Sequence, residues 1–467
     1  MTRGGDVDTF GSASEHARAF RTGTYSPLDL AEACLARIER LDPSLRSFIA
    51  VTRERALGEA ARATVEIASG GERSPLHGIP YAVKDQMSVA GCRLTAGSRV
   101  LDDRVEDRDA TVVARLADAG AVLLGTLNTH EFHMGPTRSF PFGVPRNPWH
   151  LDHSPGASSS GSGAAVAAGL CTFTLGGDTG GSIRGPAALC GVVGLKATWG
   201  RVSRAGVVPL APSLDCIGPL AARVEDVALA LETLAGADPD DSTSSLEAVD
   251  AYAADDGRDV GGARVGLVEE LLDPAVLGAD AVAATYEAVD VLRSLGVHVE
   301  TIRLPLVKVA PGVSRAVLSS EAFGYHRQML QRRYAAYDAN TRIGLATAAA
   351  LPTGVVSMAF RMRTLIASQV SAALTQFDAL LGSAGRSAPR IESAAQPTAA
   401  RPMPPQWQAF NLSGHPAISV PSRLGEDGLP LGVQFAGRHF GERSLLGLAR
   451  AFERSNGWQV RVPSGLE

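Results

Sequence analysis

No run of about 18 apolar residues occurs anywhere in the 467-residue chain, so nothing in it reads as a membrane-spanning helix. No block of like charges stands out either. The 44 basic and 49 acidic side chains leave a formal net charge of −5, which predicts neither a nucleic-acid partner nor a membrane surface. Cysteine is scarce: Cys34, Cys92, Cys171, Cys190 and Cys216 are odd in number and never form a CxxC pair. That pattern excludes a disulfide scaffold and fits buried thiols in a reducing compartment. The opening MTRGGDVDTFGSASEH has no signal-peptide apolar stretch, so cytoplasmic residence is expected.

Several catalytic signatures are missing as well. No Gly-Lys-Ser/Thr follows the glycine-rich segments, which excludes a P-loop, and no nucleotide fingerprint is present. Neither serine-rich segment is of the G-x-S-x-G kind that announces a Ser/His/Asp triad. His130-Glu131-Phe132-His133 has metal-capable side chains but not the HExxH spacing, so no metal site is expected there.

The remaining composition is that of a globular protein, 45% hydrophobic and 20% charged. Ser26 and Pro27 read as N-cap and first helical residue, and Leu30, Cys34, Ile38 and Leu41 then recur at helical spacing until Pro43. The chain is thus expected to open with this amphipathic helix. Beyond it, strand-like 79–83, helical 110–119 and strand-like 122–124 alternate. Further on, strands at 263–269 and 297–304 flank a helical 281–295, and helical sequence runs from about 319 to 376. The alternation predicts α/β layering. With no Pro/Ser-rich linker and no repeat period, residues 1–467 are expected to form one large domain.

Glycine numbers 50, and much of it clusters between Gly156 and Gly206, where backbone shape must matter. Pro155-Gly-Ala-Ser158-Ser159-Ser-Gly-Ser-Gly163 places hydroxyls on a loop at a helix start. In Leu175-Gly-Gly-Asp178-Thr179-Gly180-Gly181-Ser182-Ile-Arg184, consecutive glycines allow successive N–H groups to face one point beside a hydroxyl, as an oxyanion hole requires. A Gly-Gly-Ser run alone is usually only a turn. A serine nucleophile also needs a base, and Leu76-His-Gly-Ile-Pro-Tyr-Ala-Val-Lys84-Asp85 puts a lysine at the end of an apolar strand. That lysine is either a salt-bridged strand end or an amine that burial keeps neutral; only the second could accept a proton.

Together the three segments, with Cys190-Gly-Val-Val-Gly-Leu-Lys196, Ser213-Leu-Asp-Cys-Ile-Gly-Pro219, Asn411-Leu-Ser-Gly-His-Pro and Gly428-Leu-Pro-Leu-Gly-Val-Gln434, resemble the amidase signature family from about Pro27 to Glu453. The resemblance implies a mixed central β-sheet flanked by helices and a Ser-cisSer-Lys triad. By position, Ser182 attacks a carbonyl, Ser158 relays the proton and Lys84 accepts it. The N–H groups of Thr179, Gly180, Gly181 and Ser182 hold the oxyanion, with Asp178, Arg184 and Ser159 in support. No metal or organic cofactor is implied. Residues 75–220 are expected to be the catalytic core, and 240–400 a variable helical region covering the pocket, with Tyr325, His326, Tyr334 and Tyr337 among its candidates.

The main functional expectation is a stand-alone hydrolase of small-molecule amides, carbamates or esters, without nucleic-acid or membrane partners and with a homodimer as the family-based assembly. Two alternatives are the A-type subunit of a tRNA-dependent amidotransferase and a non-catalytic binding protein of the same fold. Three departures from the family pattern stand out. Ala157 and Ser160 occupy two glycine positions of the relay loop, which leaves less room for the strained cis peptide. Gly177 replaces a common threonine. The small residues of Asp378-Ala-Leu-Leu-Gly-Ser-Ala-Gly-Arg386 stand where relatives commonly show Pro-Thr-x-Pro and are expected to make a looser pocket wall.

Overall fold

The computed structural model describes residues 7–254, 260–394, 405–460 and 463–466. Eleven short segments pair into one sheet: β1 (Phe48–Val51), β2 (Pro80–Lys84), β3 (Val122–Leu127), β4 (Phe173–Asp178), β5 (Val193–Lys196), β6 (Cys216–Ala221), β7 (Arg264–Val268), β8 (His298–Ile302), β9 (Ala379–Ser383), β10 (Ala417–Leu424) and β11 (Pro430–Gly437). Their order is β1-β3-β2-β4-β6-β5-β10-β11-β9-β7-β8. Pairing is parallel in β3-β2-β4 and β9-β7-β8, and antiparallel from β4 through β6, β5, β10 and β11 to β9. The central strands are buried along their whole length, as strands covered by helices on both faces must be. This is the single α/β domain with a mixed sheet that the motifs predicted.

Strands β2 and β4 are parallel neighbours, Val83 standing opposite Leu175. Their carboxyl ends therefore meet at one sheet edge, and that edge brings Lys84 to the segment after Asp178.

Several boundaries differ from expectation. A helix at Ala13–Thr22 precedes the one expected to open the chain, and its signal was legible: Ser12 and Glu15 form a capping box. The helix beginning at Pro27 runs to Leu45, past Pro43, because that proline falls in the last turn, where few bonds remain to be lost. The helical stretch from 319 is three helices, Ala310–Arg333, Ala339–Ala349 and Thr353–Gln376; Asp338 caps the second, and Pro352 ends the break before the third. Of its aromatic candidates, His326 and Tyr337 are buried and pair at 3.0 Å beside Phe132, whereas Tyr325 and Tyr334 are exposed. Among the described residues no single helix is long and apolar enough to cross a membrane.

Candidate active site

Lys84 ends a fully buried strand. Its Nζ donates to Ser158 Oγ at 2.7 Å, and no ion pair joins it to a carboxylate among the described residues. The salt-bridged reading of this lysine is thereby set aside. Burial pushes its pKa down from 10.5 to about 7, against the opposing pull of Asp178 and Asp215, so the amine is half neutral near pH 7. Asp85, the next residue, points its carboxyl elsewhere, accepting from the Thr95 N–H and hydroxyl.

Ser158 lies just before the helix Ser160–Ala167, on a loop fastened to β4 by Ser159. The Ser159 hydroxyl donates to Gly177 O at 3.1 Å and accepts from Gly177 N at 3.2 Å. The expected cis peptide in this loop is not found. The peptide before Ser158 is trans; the cis bond among the described residues is Gly135–Pro136. The loop turns instead at Gly156, whose φ of 123° and contact with Pro186 exclude any side chain. In consequence the Ser158 N–H, not its hydroxyl, points to Ser182 Oγ, at 3.4 Å. Lys84, Ser158 and Ser182 are brought together, Lys84 on the Ser158 hydroxyl and Ser182 on the Ser158 N–H.

Ser182 sits in the turn between β4 and the helix Arg184–Cys190. Asp178 organises that turn. Its carboxylate accepts from the N–H groups of Gly181 at 2.7 Å and Ile183 at 3.1 Å, from Arg184 Nε and Nη2 at 3.0 Å each, and from Asn411 Nδ2 at 2.9 Å. Burial alone would raise its pKa, but the Arg184 guanidinium and these donors hold the carboxyl far below the usual carboxylate range. Arg184, itself fully buried, also donates to Gln434 Oε1 at 2.7 Å, Asn411 Oδ1 at 2.6 Å and Trp407 O at 3.0 Å. Asp178 and Arg184 thus act on the shape of the turn that carries Ser182.

The expected four-donor cup loses one member. The Gly181 N–H is already given to Asp178, whereas those of Thr179, Gly180 and Ser182 have no acceptor among the described residues. Gly181 instead supplies shape: its φ is 110°, and a Cβ there would overlap Trp407. Thr179 is steadied by its hydroxyl donating to Asp215 Oδ1 at 2.6 Å.

Two departures from the family pattern acquire physical reasons. A Cβ at Gly177 would overlap the end of Gln86, so the side chain missing at 177 is replaced in space by an amide from the adjoining strand end. The small residues at 382–385 do not leave a loose wall. The Trp407 indole lies against Gly185 and Gly385 and donates to Ala384 O at 3.1 Å, filling the volume.

Sequence reasoning missed Gln86, Trp407, Asn411, Gln434 and Asp215. Asn411, Gln434 and Asp215 lay inside quoted motif segments, but their partners stand up to 250 positions away. In the expected non-metal segment, His130 Nδ1 accepts from Thr137 N at 2.9 Å, and Glu131 from Ser98 Oγ at 2.7 Å and Asp338 N at 2.8 Å.

A buried, partly neutral lysine hydrogen-bonded to a serine, beside a second serine in a turn of unpaired N–H groups, has the parts that acyl transfer needs. The family model described as Amidase matches residues 29–446. The chain belongs to the amidase family. As an amidase-family member it is an enzyme type acting on C–N bonds, and its relatives refine the comparison. The A subunit of glutamyl-tRNA(Gln) amidotransferase from Roseiflexus sp. (strain RS-1) is 39% identical, the match covering 96% of this chain and 97% of that one. A structure from a vestigial protein complex bearing on the origins of an s-triazine catabolic enzyme superposes with a TM-score of 0.89 at 33% identity, over 96% of this chain and 99% of that one. Native peptide amidase from Stenotrophomonas maltophilia gives 0.85 at 32%, over 97% and 98%. The first of these overturns the expectation of no nucleic-acid partner, because end-to-end relatives of this chain are named for a charged tRNA.

Proposed function

We propose that this amidase-family chain works as the A-type subunit of a tRNA-dependent amidotransferase, releasing ammonia from a donor carboxamide on Ser182. The observation that carries the chemistry is the 2.7 Å contact between Ser158 and the buried Lys84, whose pKa lies at about 7. What favours this reading over a stand-alone hydrolase is the 39% identity to an A-type amidotransferase chain over nearly the full length of both.

In the reaction Ser182 Oγ attacks the carboxamide carbon as its proton passes through Ser158 to Lys84, which requires the Ser158 hydroxyl to rotate onto Ser182. The N–H groups of Thr179, Gly180 and Ser182 meet the oxyanion. Collapse expels ammonia with the proton returned from Lys84, leaving an acyl-enzyme; water then releases the acid by the same relay.

The test is ammonia release from glutamine by the purified chain, alone and with the partner subunits of the host's amidotransferase. The reading expects Ser182-dependent glutaminase activity that rises at least tenfold with partners, and glutamine-dependent amidation of Glu-tRNA(Gln). The second reading, a stand-alone amide or carbamate hydrolase, is favoured by the equally full-length superposition on peptide amidase. It holds if the chain alone opens aryl amides or carbamates at rates that partners leave unchanged.

A further inference from the structure

Most exposed apolar side chains of a soluble protein are scattered, but here they gather on one excursion. From Ile343 to Phe360 the chain has no charged residue, although this stretch spans the helix Ala339–Ala349, the break, and the first turns of Thr353–Gln376. Ile343, Val355, Met358 and Leu365 are 44 to 60% exposed. On the last helix Val355, Met358 and Leu365 fall at i, i+3 and i+10, with Met362 at i+7, which is one continuous stripe about 15 Å long. The buried residues Ala359, Ile366, Val370 and Leu374 lie on the adjoining side of this helix, and Met362 packs against that core at the edge of the stripe, so Val355, Met358 and Leu365 are left as an exposed apolar flank.

Charge along this excursion is one-sided in sequence, although Arg333 pairs with Asp103 and Arg363 donates to Leu412 O and Ser213 O. From Ala310 to Gln376 the sequence has seven arginines and two acids, in a chain whose net charge is −5. Both acids face inward: Glu321 accepts from Ser213 N at 3.0 Å, and Asp338 accepts from Ser139 N at 2.8 Å and Asn340 N at 2.9 Å. Arg361, one turn from both Met358 and Leu365, has no carboxylate partner among the described residues. Arg342, beside Ile343, contacts only the Tyr334 ring there, at 5.3 Å.

We propose that the Val355–Met358–Leu365 face docks an acidic amphipathic helix belonging to a separate polypeptide. This rests on the amidotransferase reading above, in which the chain works with partner chains. An apolar stripe three turns long is the complement of a helix laid alongside it, and the unpaired Arg361 on its flank selects glutamate and aspartate on that helix. Phosphate recognition accounts for the arginines but not for the stripe. A lipid surface accounts for the stripe, but the 98° bend between the two helices takes Ile343 and Leu365 onto differently directed elements.

A fluorescein-labelled 21-residue peptide, with leucine at helical i, i+3 and i+7 spacing and glutamate elsewhere, titrated with the full chain and followed by anisotropy, tests this. The wild type is expected to bind it, Met358→Asp and Val355→Asp each to weaken binding at least tenfold, and Arg361→Glu to weaken it severalfold with a shallower salt dependence. The same peptide with lysine for glutamate is expected not to bind. Equal binding by Met358→Asp, or by the lysine peptide, overturns the proposal. So does absence of peptide binding accompanied by a Met358-dependent interaction with unfractionated tRNA, with phosphatidylglycerol vesicles, or with a second copy of the chain in sedimentation. Glutaminase activity measured on the same proteins reports separately on the function, since the stripe contains no residue of the catalytic site.

Discussion

Replacing Lys84 by methionine should abolish catalysis and at the same time make the protein more stable at neutral pH. In the unfolded chain the amine holds its proton up to 10.5; in the fold, burial makes it release that proton at about 7. Between those values the unfolded state binds more protons, so the folding free energy improves as pH rises through the window. The penalty is complete below about pH 7 and gone above about 10.5. At about 1.36 kcal/mol for each pH unit between the two values, it amounts to about 5 kcal/mol. Methionine has a similar length and no charge to desolvate, but it forfeits the hydrogen bond to Ser158, which is worth about 1–2 kcal/mol. Lys84→Met should therefore be stabilised by roughly 3 kcal/mol at pH 7 and be no more stable than wild type at pH 10.5. Urea unfolding followed by circular dichroism at the two pH values, with the m-value checked for constancy, measures this. A loss of stability at pH 7, or a difference independent of pH, would show that the amine is charged and compensated in the fold, and the base assignment would fall with it. The same pKa sets the acid limb of kcat/KM: activity should fall about tenfold for each pH unit below about 7.

How much of this was readable in advance follows from how far apart the partners lie in sequence. The hydroxyls, the glycine turn and the strand-end lysine each occupy a run of ten or fewer residues, and such runs carry their backbone geometry with them, so the sheet edge and the three candidate catalytic side chains were legible. The direction of Ser158 was not. It depends on how the loop turns at Gly156 against Pro186, a contact nearly thirty residues along the chain. The loss of Gly181 from the expected oxyanion cup has a similar origin, since an N–H three residues after an aspartate is an ordinary donor to its carboxylate, which a string of glycines does not reveal. Trp407 filling the wall at 382–385, and Asn411 and Gln434 on Arg184, are contacts between elements brought together only by the ordering of β4, β10 and β11 in the sheet. Net charge was the least informative quantity, because seven arginines on one excursion disappear into a balanced total.

Arg184→Met should destabilise the fold by about 3–5 kcal/mol, because it leaves the Asp178 carboxylate buried without its cation; a Tm within a degree or two of wild type would contradict the bracing role. Gly181→Ala should lower kcat/KM at least a hundredfold, since the left-handed φ of 110° and the overlap with Trp407 both displace the nucleophile turn; near-normal turnover would mean that the turn relaxes freely. The pairing of Gly177 with Gln86 gives the sharpest check on the site's construction. Gly177→Thr alone drives a side chain into the volume that the Gln86 amide holds, and Gln86→Ala alone empties that volume beside β4. Each change is destabilising alone, but the threonine of the double variant occupies the space the glutamine has vacated. The two effects should then be non-additive by about 1 kcal/mol or more in urea unfolding, with the double variant more stable than the sum of the singles. Additivity within about 0.3 kcal/mol would show that the two side chains do not compete for one volume, and the glycine at 177 would need another explanation.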